Sequence, residues 1–362
     1  MPDQDPALPP NLYDLSRNAL TDLIVRWGYQ SYRAGQLWGW LYAQKAAAFE
    51  DMYTLPTDLR KRLAAETRLG GLEQVSAVCS SDGETRKFAL RLPDGQIIET
   101  VLMRYEGVRR TACISTQAGC AMGCVFCATG QMGFARHLSA GEIVEQALIV
   151  ARALEAEGAR LSNVVLMGMG EPFHNYDNTL EAIRRLMDKD GLNIGQRRIT
   201  VSTVGLAPSI RRFAEEGLQV RLAISLHAAT DEERSALLPI NRRYPLDELF
   251  DAVWDYVKRT NRRVTFEWTL IEGENDTPEQ AHRLGRLLDG LLCHVNVIPL
   301  NPTEGFDGKP SDPSRVARFV EILEFYRIPA TVRVRRGIDV NAGCGQLKAE
   351  VLRRAQGERM RG

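Results

Sequence analysis

Residues 119–130, GCAMGCVFCATG, place Cys120, Cys124 and Cys127 in one short loop. A CxxxCxxC run supplies three thiolates and no fourth, so a metal that wants four ligands keeps an open position. Ordinary ferredoxin clusters take four cysteines at other spacings, and an iron-sulfur cube held by these three keeps one iron free for another ligand. An open iron suits catalysis rather than electron storage. The competing reading is a structural zinc site, which closes with Cys and His at four positions, usually as paired knuckles. His137 is the nearby candidate for a fourth ligand, and its distance from Cys127 fits neither common finger spacing. A disulfide framework fits less well, because seven cysteines is an odd number and 362 residues can bury a core without staples.

Composition bounds the remaining classes. The chain is 44% hydrophobic and 25% charged, an ordinary globular balance with room for a main domain of over 200 residues (about two thirds of the chain) and an appendage. Its start, MPDQDPALPPNLYDL, is acidic and proline-rich rather than basic then apolar, and no apolar run approaches membrane-spanning length. The expectation is a cytoplasmic chain with no membrane partner, a reducing setting that suits free thiolates. A formal net charge of zero argues against a broad phosphate-coating surface, so any nucleic-acid contact is local. Of the 46 Lys and Arg only seven are lysine, and many arginines come in pairs: Arg109 and Arg110, Arg197 and Arg198, Arg242 and Arg243, Arg262 and Arg263, Arg335 and Arg336. Arginine suits phosphate forks and base stacking, although such pairs also arise on solvated helix faces.

Outward from the cysteine loop, the chain divides into segments of different period. Ser16 to Trp27 begins at a serine cap and carries Leu20, Leu23, Ile24 and Trp27 at helical spacing; Tyr32 to Tyr42 carries Leu37, Trp38 and Leu41; a third helix begins at Thr57 after Pro56. These predict a small helical accessory domain over 1–70, with its tryptophans in the core. From Val75 to Tyr105 short alternating runs are broken at Asp82-Gly83 and Asp94-Gly95, which predict hairpins and an antiparallel extension over 71–104. From Thr111 onward apolar strands alternate with helical stretches, the pattern of a parallel α/β sheet. Strands are predicted at Ala112 to Thr116, Asn163 to Met167, Arg198 to Ser202, Val220 to Ser225, Val264 to Leu270 and Cys293 to Ile298. Six such units predict a partial or full barrel over 105–340, followed by a carboxyl-terminal segment over 341–362.

In barrels of this type chemistry sits on loops at the carboxyl ends of strands. The first strand runs into the cysteine loop, and the second into Gly168, Gly170 and Glu171 of LMGMGEPF. The third ends at Ser202, the fourth at Ser225, Leu226 and His227, and the sixth at Asn301 of IPLNPTEG. Singly these are turn glycines, caps or a satisfied histidine. Jointly they mark one rim of the barrel as a binding site, with Glu171 an acceptor for an ammonium group.

CxxxCxxC with Phe126 before the last cysteine, followed by a GxGE strand end, resembles the radical S-adenosylmethionine (SAM) enzymes. CISTQAGCAMGCVFCATGQMGF, GMGEP, SLHA and VNAGCGQL are similar to the RNA adenine methyltransferases of the RlmN and Cfr group, from about Leu12 to Leu347. The resemblance implies a radical SAM partial (βα)6 TIM-type barrel. It also implies a [4Fe-4S] cluster on Cys120, Cys124 and Cys127, and SAM bound at the fourth iron. Reductive cleavage of SAM then supplies a 5′-deoxyadenosyl radical, chemistry that belongs to the cofactor. SAM is expected at Gly170, Glu171, Ser202, Ser225, Leu226, His227 and Asn301.

For this group the resemblance further implies that Cys344 carries the methyl group as S-methylcysteine in a two-SAM ping-pong cycle. Cys113 then resolves the RNA adduct by forming a disulfide with Cys344, and Glu99 accepts a proton. Without the resemblance, Glu99 reads as a solvent-facing strand residue and Cys344, Cys79 and Cys293 as buried small hydrophobes. The implied substrates are an adenosine of 23S rRNA near the peptidyl-transferase centre and the adenosine 3′ to the tRNA anticodon, methylated at carbon 2 by a monomer fed by flavodoxin or ferredoxin. A Cfr-type enzyme methylating carbon 8 shares the same residues. A zinc-stabilised RNA-binding module without catalysis and an activase for a glycyl radical enzyme are the alternatives from other classes.

Overall fold

The computed structural model describes residues 8–348, so the outermost parts of the segments expected at 1–70 and 341–362 lie outside the described residues. Twelve strands are described: β1 Glu73–Cys79, β2 Thr85–Arg91, β3 Ile97–Arg104, β4 Arg110–Cys113, β5 Gln117–Gly119, β6 Phe134–His137, β7 Asn163–Leu166, β8 Ile199–Thr203, β9 Arg221–Ser225, β10 Val264–Leu270, β11 Cys293–Pro299 and β12 Ala330–Val332. Ten of them form one open sheet in the order β1-β2-β3-β4-β7-β8-β9-β10-β11-β12, and β5 and β6 make a separate ribbon. From β4 to β12 every neighbouring pair is parallel. Helical crossovers cover the outside, and Val164, Val201, Leu222, Phe266 and Val295 have no exposure at all, as strands buried on both faces require. The result is the expected partial barrel with an open seam between β4 and β12.

Three elements differ from the expectation. The antiparallel extension is part of the barrel sheet itself, because β3 pairs antiparallel with β4. The strand expected from Ala112 to Thr116 is assigned only to Cys113; Ile114 still bonds Val165 and Gly168 of the neighbouring strand's end, and at Ser115 the chain departs, where Gln146 Oε1 takes the Ser115 amide at 2.8 Å and Ser115 Oγ donates to the Glu99 carbonyl at 2.6 Å. Side chains thus capture the backbone and redirect it into β5. Strand β12 had no alternating signal, being three residues long after Pro329.

The amino-terminal helices are α1 Arg17–Arg26, α2 Tyr32–Trp38 and α3 Thr57–Glu66, with Ser16 Oγ accepting the Ala19 amide at 3.2 Å as the predicted cap. After Trp38 the second helix widens into a π turn over Gly39–Ala43. Leu20, Ile24, Leu37, Trp38 and Leu63 form the module's core, while Trp27 and Trp40 are half-buried against it. After the short helix α4 Ala128–Met132 comes α5 Ala140–Glu155, and this helix joins the module to the barrel. The Glu145 carboxylate accepts the amides of Gly71 and Leu72 at 3.0 and 3.2 Å, and Arg152 donates to the Lys45 carbonyl at 2.8 Å. Gly70 permits this approach: it sits at φ +85°, and a Cβ there would lie 2.2 Å from Glu145 Oε1. No helix among the described residues is long and apolar enough to cross a membrane.

Candidate active site

The carboxyl ends of the parallel strands surround a cavity that opens to solvent. Cys120, Cys124 and Cys127 line one side of it. Their loop is fixed by its backbone: the Cys120 amide donates to the Gly133 carbonyl at 2.8 Å and the Val125 amide to Leu237 at 3.1 Å. Gly119 is required where the loop begins, at φ +73° with Gly133 O only 2.0 Å from where a Cβ would stand. Burial raises all three thiols, Cys120 to about 12 and Cys124 well above the ordinary value. Metal binding must therefore displace the protons.

No three His, Cys, Asp or Glu side chains among the described residues gather tightly enough to hold a single ion. His137, the candidate fourth ligand, is turned elsewhere: its Nδ1 meets Gln117 Nε2 at 3.0 Å, and its ring lies edge-on to His174 at 4.8 Å. Three thiols facing one cavity, with no fourth Cys or His beside them among the described residues, are a donor set that fits an iron-sulfur cube.

Across the cavity, Gly170 sits at φ +100° and turns the chain so that Glu171 is nearly fully buried beside the cysteines. The Glu171 oxygens accept the Phe173 and Val204 amides, each at 2.9 Å, and burial raises its pKa to about 7 against those hydrogen bonds. A buried carboxylate so held is a ready acceptor for a ligand cation. Ser202 and Ser225, at the ends of β8 and β9, line the same wall. His227 follows in a left-handed conformation, φ 62°, and its Nδ1 accepts the Thr269 amide at 2.9 Å. Burial, aided by Arg234, lowers its pKa to about 3, so the ring is neutral with its proton on Nε2. Leu226, by contrast, is fully buried and does not line the cavity; its amide continues the ladder to the Glu267 carbonyl at 3.1 Å. Asn301 Oδ1 is buried without a partner among the described residues, an acceptor open to a ligand donor.

Residues 333–348 cross the open seam as a strap. Asp339 caps the Ser81 amide at 2.8 Å, Lys87 Nζ donates to the Asn341 carbonyl at 3.3 Å, and the Ala128 amide donates to the Gly345 carbonyl at 2.7 Å. Asn301 Nδ2 holds the Cys344 carbonyl at 3.0 Å. Cys344 lines the cluster-side cavity and also a second, smaller cavity shared with Cys113, Met103 and Tyr105. Cys113 is buried and its thiol is raised to about 12 by burial and by Cys344. All seven cysteines are free thiols, so no disulfide joins Cys113 to Cys344.

Several residues stand differently from the sequence expectation. Glu99 is not solvent-facing: it is 1% exposed, because β3 is covered on both faces, and it forms a buried ion pair with Lys87 at 3.1 Å. Its other oxygen accepts the Lys348 amide at 3.0 Å. Cys79 is exposed on the edge strand β1, and Cys344 is exposed on the strap; Cys293 is buried. Sequence reasoning passed over Arg333, which lines both cavities, and Glu267 and Thr269 at the end of β10. Their signal was the fifth strand end, where alternation placed Glu267 inward beside Arg333 Nη1 at 3.9 Å.

With this geometry in hand, comparison with known proteins is specific. The Radical SAM superfamily model matches residues 114–284, and the model for the ribosomal RNA large subunit methyltransferase N-terminal domain matches residues 10–69. The chain is 58% identical over 346 residues to dual-specificity RNA methyltransferase RlmN 1 of Myxococcus xanthus, covering 96% of each. It is 50% identical over 347 residues to the probable dual-specificity RNA methyltransferase RlmN of Chloroflexus aurantiacus, covering 93% of this chain and 92% of that one. The crystal structure of a radical SAM methyltransferase from Sphaerobacter thermophilus superposes with a TM-score of 0.92 at 51% identity, over 94% of this chain and 100% of that one.

Proposed function

The chain belongs to the RlmN family of radical SAM RNA methyltransferases, and from that premise we propose that it methylates carbon 2 of an adenosine in 23S rRNA and of the adenosine 3′ to the tRNA anticodon. The observation that carries this reading is the position of Cys344, in the wall of the cavity that holds the three cluster cysteines and of the cavity that holds Cys113. An adenine ring carbon of this kind is not nucleophilic enough for ordinary methyl transfer, so a carrier is needed between the methyl donor and the base. When bound, a [4Fe-4S] cluster on Cys120, Cys124 and Cys127 with SAM supplies a strong hydrogen-abstracting radical.

The chain's own residues do the rest. Glu171 accepts the ligand ammonium, Gly170 allows close backbone approach, and Ser202, Ser225, His227 and Asn301 orient the nucleoside part, with the Leu226 backbone behind them. Cys344 carries the methyl group and becomes the point of attachment to the base. Cys113 then attacks the Cys344 sulfur: an S–S bond forms as the bond from that sulfur to the base-bound carbon breaks, the released electron pair passes into the adenine ring and a proton completes the methyl group, and cellular thiols later reduce the disulfide. Deprotonation of Cys113 is opposed by burial and favoured by Arg333. Glu99, on the underside of the strap, is the proton acceptor of this scheme.

The segment over 1–70 is proposed as the RNA-binding domain, 71–104 as an extension, 105–340 as the catalytic core and 341–362 as the methyl-carrier segment. An external one-electron donor such as flavodoxin or ferredoxin completes a cytoplasmic, monomeric system. The test is anaerobic reconstitution followed by mass spectrometry of nucleosides from rRNA and tRNA incubated with SAM. The expected product is 2-methyladenosine; 8-methyladenosine, or no methylated base from a cluster-loaded protein, overturns the reading.

A further inference from the structure

The carboxyl-end rim absorbs the motifs of the sequence, but the paired arginines belong mostly to the other end of the barrel. Arg110 opens β4, Arg160 precedes β7, Arg198 precedes β8, Arg221 opens β9, and Arg262 and Arg263 precede β10. One rim therefore collects guanidinium groups from five consecutive strands. Arg109, Arg160, Arg198, Arg221 and Arg263 are exposed, and none has a carboxylate within 4.0 Å among the described residues. The helices on the barrel's flanks behave otherwise: Arg211 pairs with Asp255 at 3.4 Å, Arg259 with Glu215 at 3.1 Å and Arg283 with Glu233 at 3.1 Å.

The unpaired set is also continuous with the site. Tyr105 lines the cavity shared by Cys113 and Cys344, and its ring is flanked by two guanidiniums, the unpaired Arg109 at 4.4 Å and Arg336 at 4.6 Å, the latter paired with Glu84 at 3.8 Å. Arg109 in turn lies close enough to Arg221 to act on it together with Arg262 and Arg263; after partial burial, these like charges lower the Arg221 pKa, with no acid offsetting them. Arg110, Arg160 and Arg198 border a groove farther along the same rim. In a chain of zero net charge, unopposed positive charge of this kind raises the energy of the free protein and is relieved by a polyanion.

We propose that this arginine track, from Arg109 beside Tyr105 to Arg221 and Arg263 on the amino-terminal rim, binds the phosphate backbone flanking the target nucleotide of the RNA. The proposal rests on the RNA-modifying reading above and adds where the backbone lies. A base unstacked into the smaller cavity shared by Cys113 and Cys344 leaves its neighbouring phosphates beside Tyr105, which lines that cavity and where the track begins. It gives affinity and orientation without sequence information, which the cavity supplies.

The experiment measures binding of an unmodified tRNA transcript to the full-length protein as salt is varied. In Arg109→Ser/Arg221→Ser/Arg263→Ser, affinity at about 0.1 M salt falls roughly tenfold or more, and the slope of log affinity against log salt becomes shallower by about two. The corresponding triple lysine variant keeps the wild-type slope, and Arg211→Ser/Arg259→Ser/Arg283→Ser, which removes paired arginines, keeps both affinity and slope. Melting temperatures confirm that all variants fold. Wild-type affinity and slope in the first variant overturn the track, as does an equal loss in the paired-arginine variant. If wild-type protein shows the arginine-dependent binding but transfers no methyl group to any RNA, the functional reading fails while the track stands.

Discussion

The cysteine loop and the strap that carries Cys344 face each other across one cavity and are held in opposite ways. The loop is fixed by backbone hydrogen bonds, to Gly133 beside it and to Leu237 from a distant part of the chain, and by Gly119. The strap has little regular structure and is tied down mostly by side chains from distant parts of the chain, Lys87, Glu99, Thr129 and Asn301, with one backbone bond from the Ala128 amide to the Gly345 carbonyl. A cluster ligand must not move, whereas a carrier serving two cavities must change partners. The difference between backbone-fixed and side-chain-tethered segments matches those two demands, and substitutions on each side can separate them.

The largest effects come from the thiols themselves and differ in kind. Cys127→Ala is expected to abolish methylation together with iron content and the brown iron-sulfur absorbance. Cys344→Ala abolishes methylation while iron content stays at the wild-type level, and Cys113→Ala accumulates a covalent protein-RNA adduct visible on a denaturing gel. Turnover at the wild-type rate in Cys344→Ala or Cys113→Ala would sink the carrier scheme, and iron loss in Cys344→Ala would show that strap and loop are one unit.

Next is the buried pair beneath the strap, Lys87 and Glu99, with side chains 7% and 2% exposed. Removing one partner of such a pair strands a buried charge and costs about 3–5 kcal/mol, whereas removing both with apolar residues costs much less. Lys87→Met is therefore expected to lower the melting temperature strongly, and Lys87→Met/Glu99→Leu to recover most of that loss while remaining inactive. A surface pair such as Arg318 with Glu321, both about 60% exposed, changes stability little when broken.

How legible each side was follows from the same contrast. The loop and the strand ends could be read because their meaning is local: three cysteines, GxGE and the strand-end serines carry their chemistry within a few residues. Glu99 was misread because the run from Ile97 to Met103 is buried throughout, so the alternation that marks a solvent face is absent, and its partner Lys87 comes from the neighbouring strand β2. The strap's contacts span 218 residues from Thr129 to Leu347 and 254 from Lys87 to Asn341, separations that no periodicity reports. Arg333 escaped notice for the same reason, since its role beside Cys344 appears only once β12 joins the sheet. Cys79 shows the converse limit: a cysteine in an apolar run is core only if its strand is not an edge.

A smaller effect concerns Glu171 and pH. Its folded pKa of about 7 lies above the ordinary 4.5, so the folded protein holds an extra proton between those values and loses stability as pH rises through that window. The cost persists above pH 7 until a cation arrives. In metal-free protein, Glu171→Gln is thus expected to gain melting temperature relative to wild type as pH goes from 5 to 8, with SAM affinity reduced. A constant difference across that range would remove the argument that burial dominates at this carboxylate. His227, already neutral and held so down to about 3, contributes no break near its ordinary titration range.

The smallest expected effect is the most direct probe of the comparison. Thr129 lies in α4, two residues after Cys127, and its Oγ1 donates to the Leu347 carbonyl at 2.6 Å; next to the Ala128–Gly345 backbone bond, it is a contact between loop and strap that a side-chain substitution can remove. Thr129→Val conserves shape and deletes the donor, at a cost of about 1 kcal/mol. If the loop is fixed by its backbone and the strap by such tethers, iron content and cluster absorbance stay unchanged. Amide exchange over 343–347 then accelerates, and methylation slows severalfold at the steps that need Cys344 in place. If instead the variant sheds iron while the strap's exchange rates hold, the tether serves the loop, and the division of labour between the two sides of the cavity is reversed.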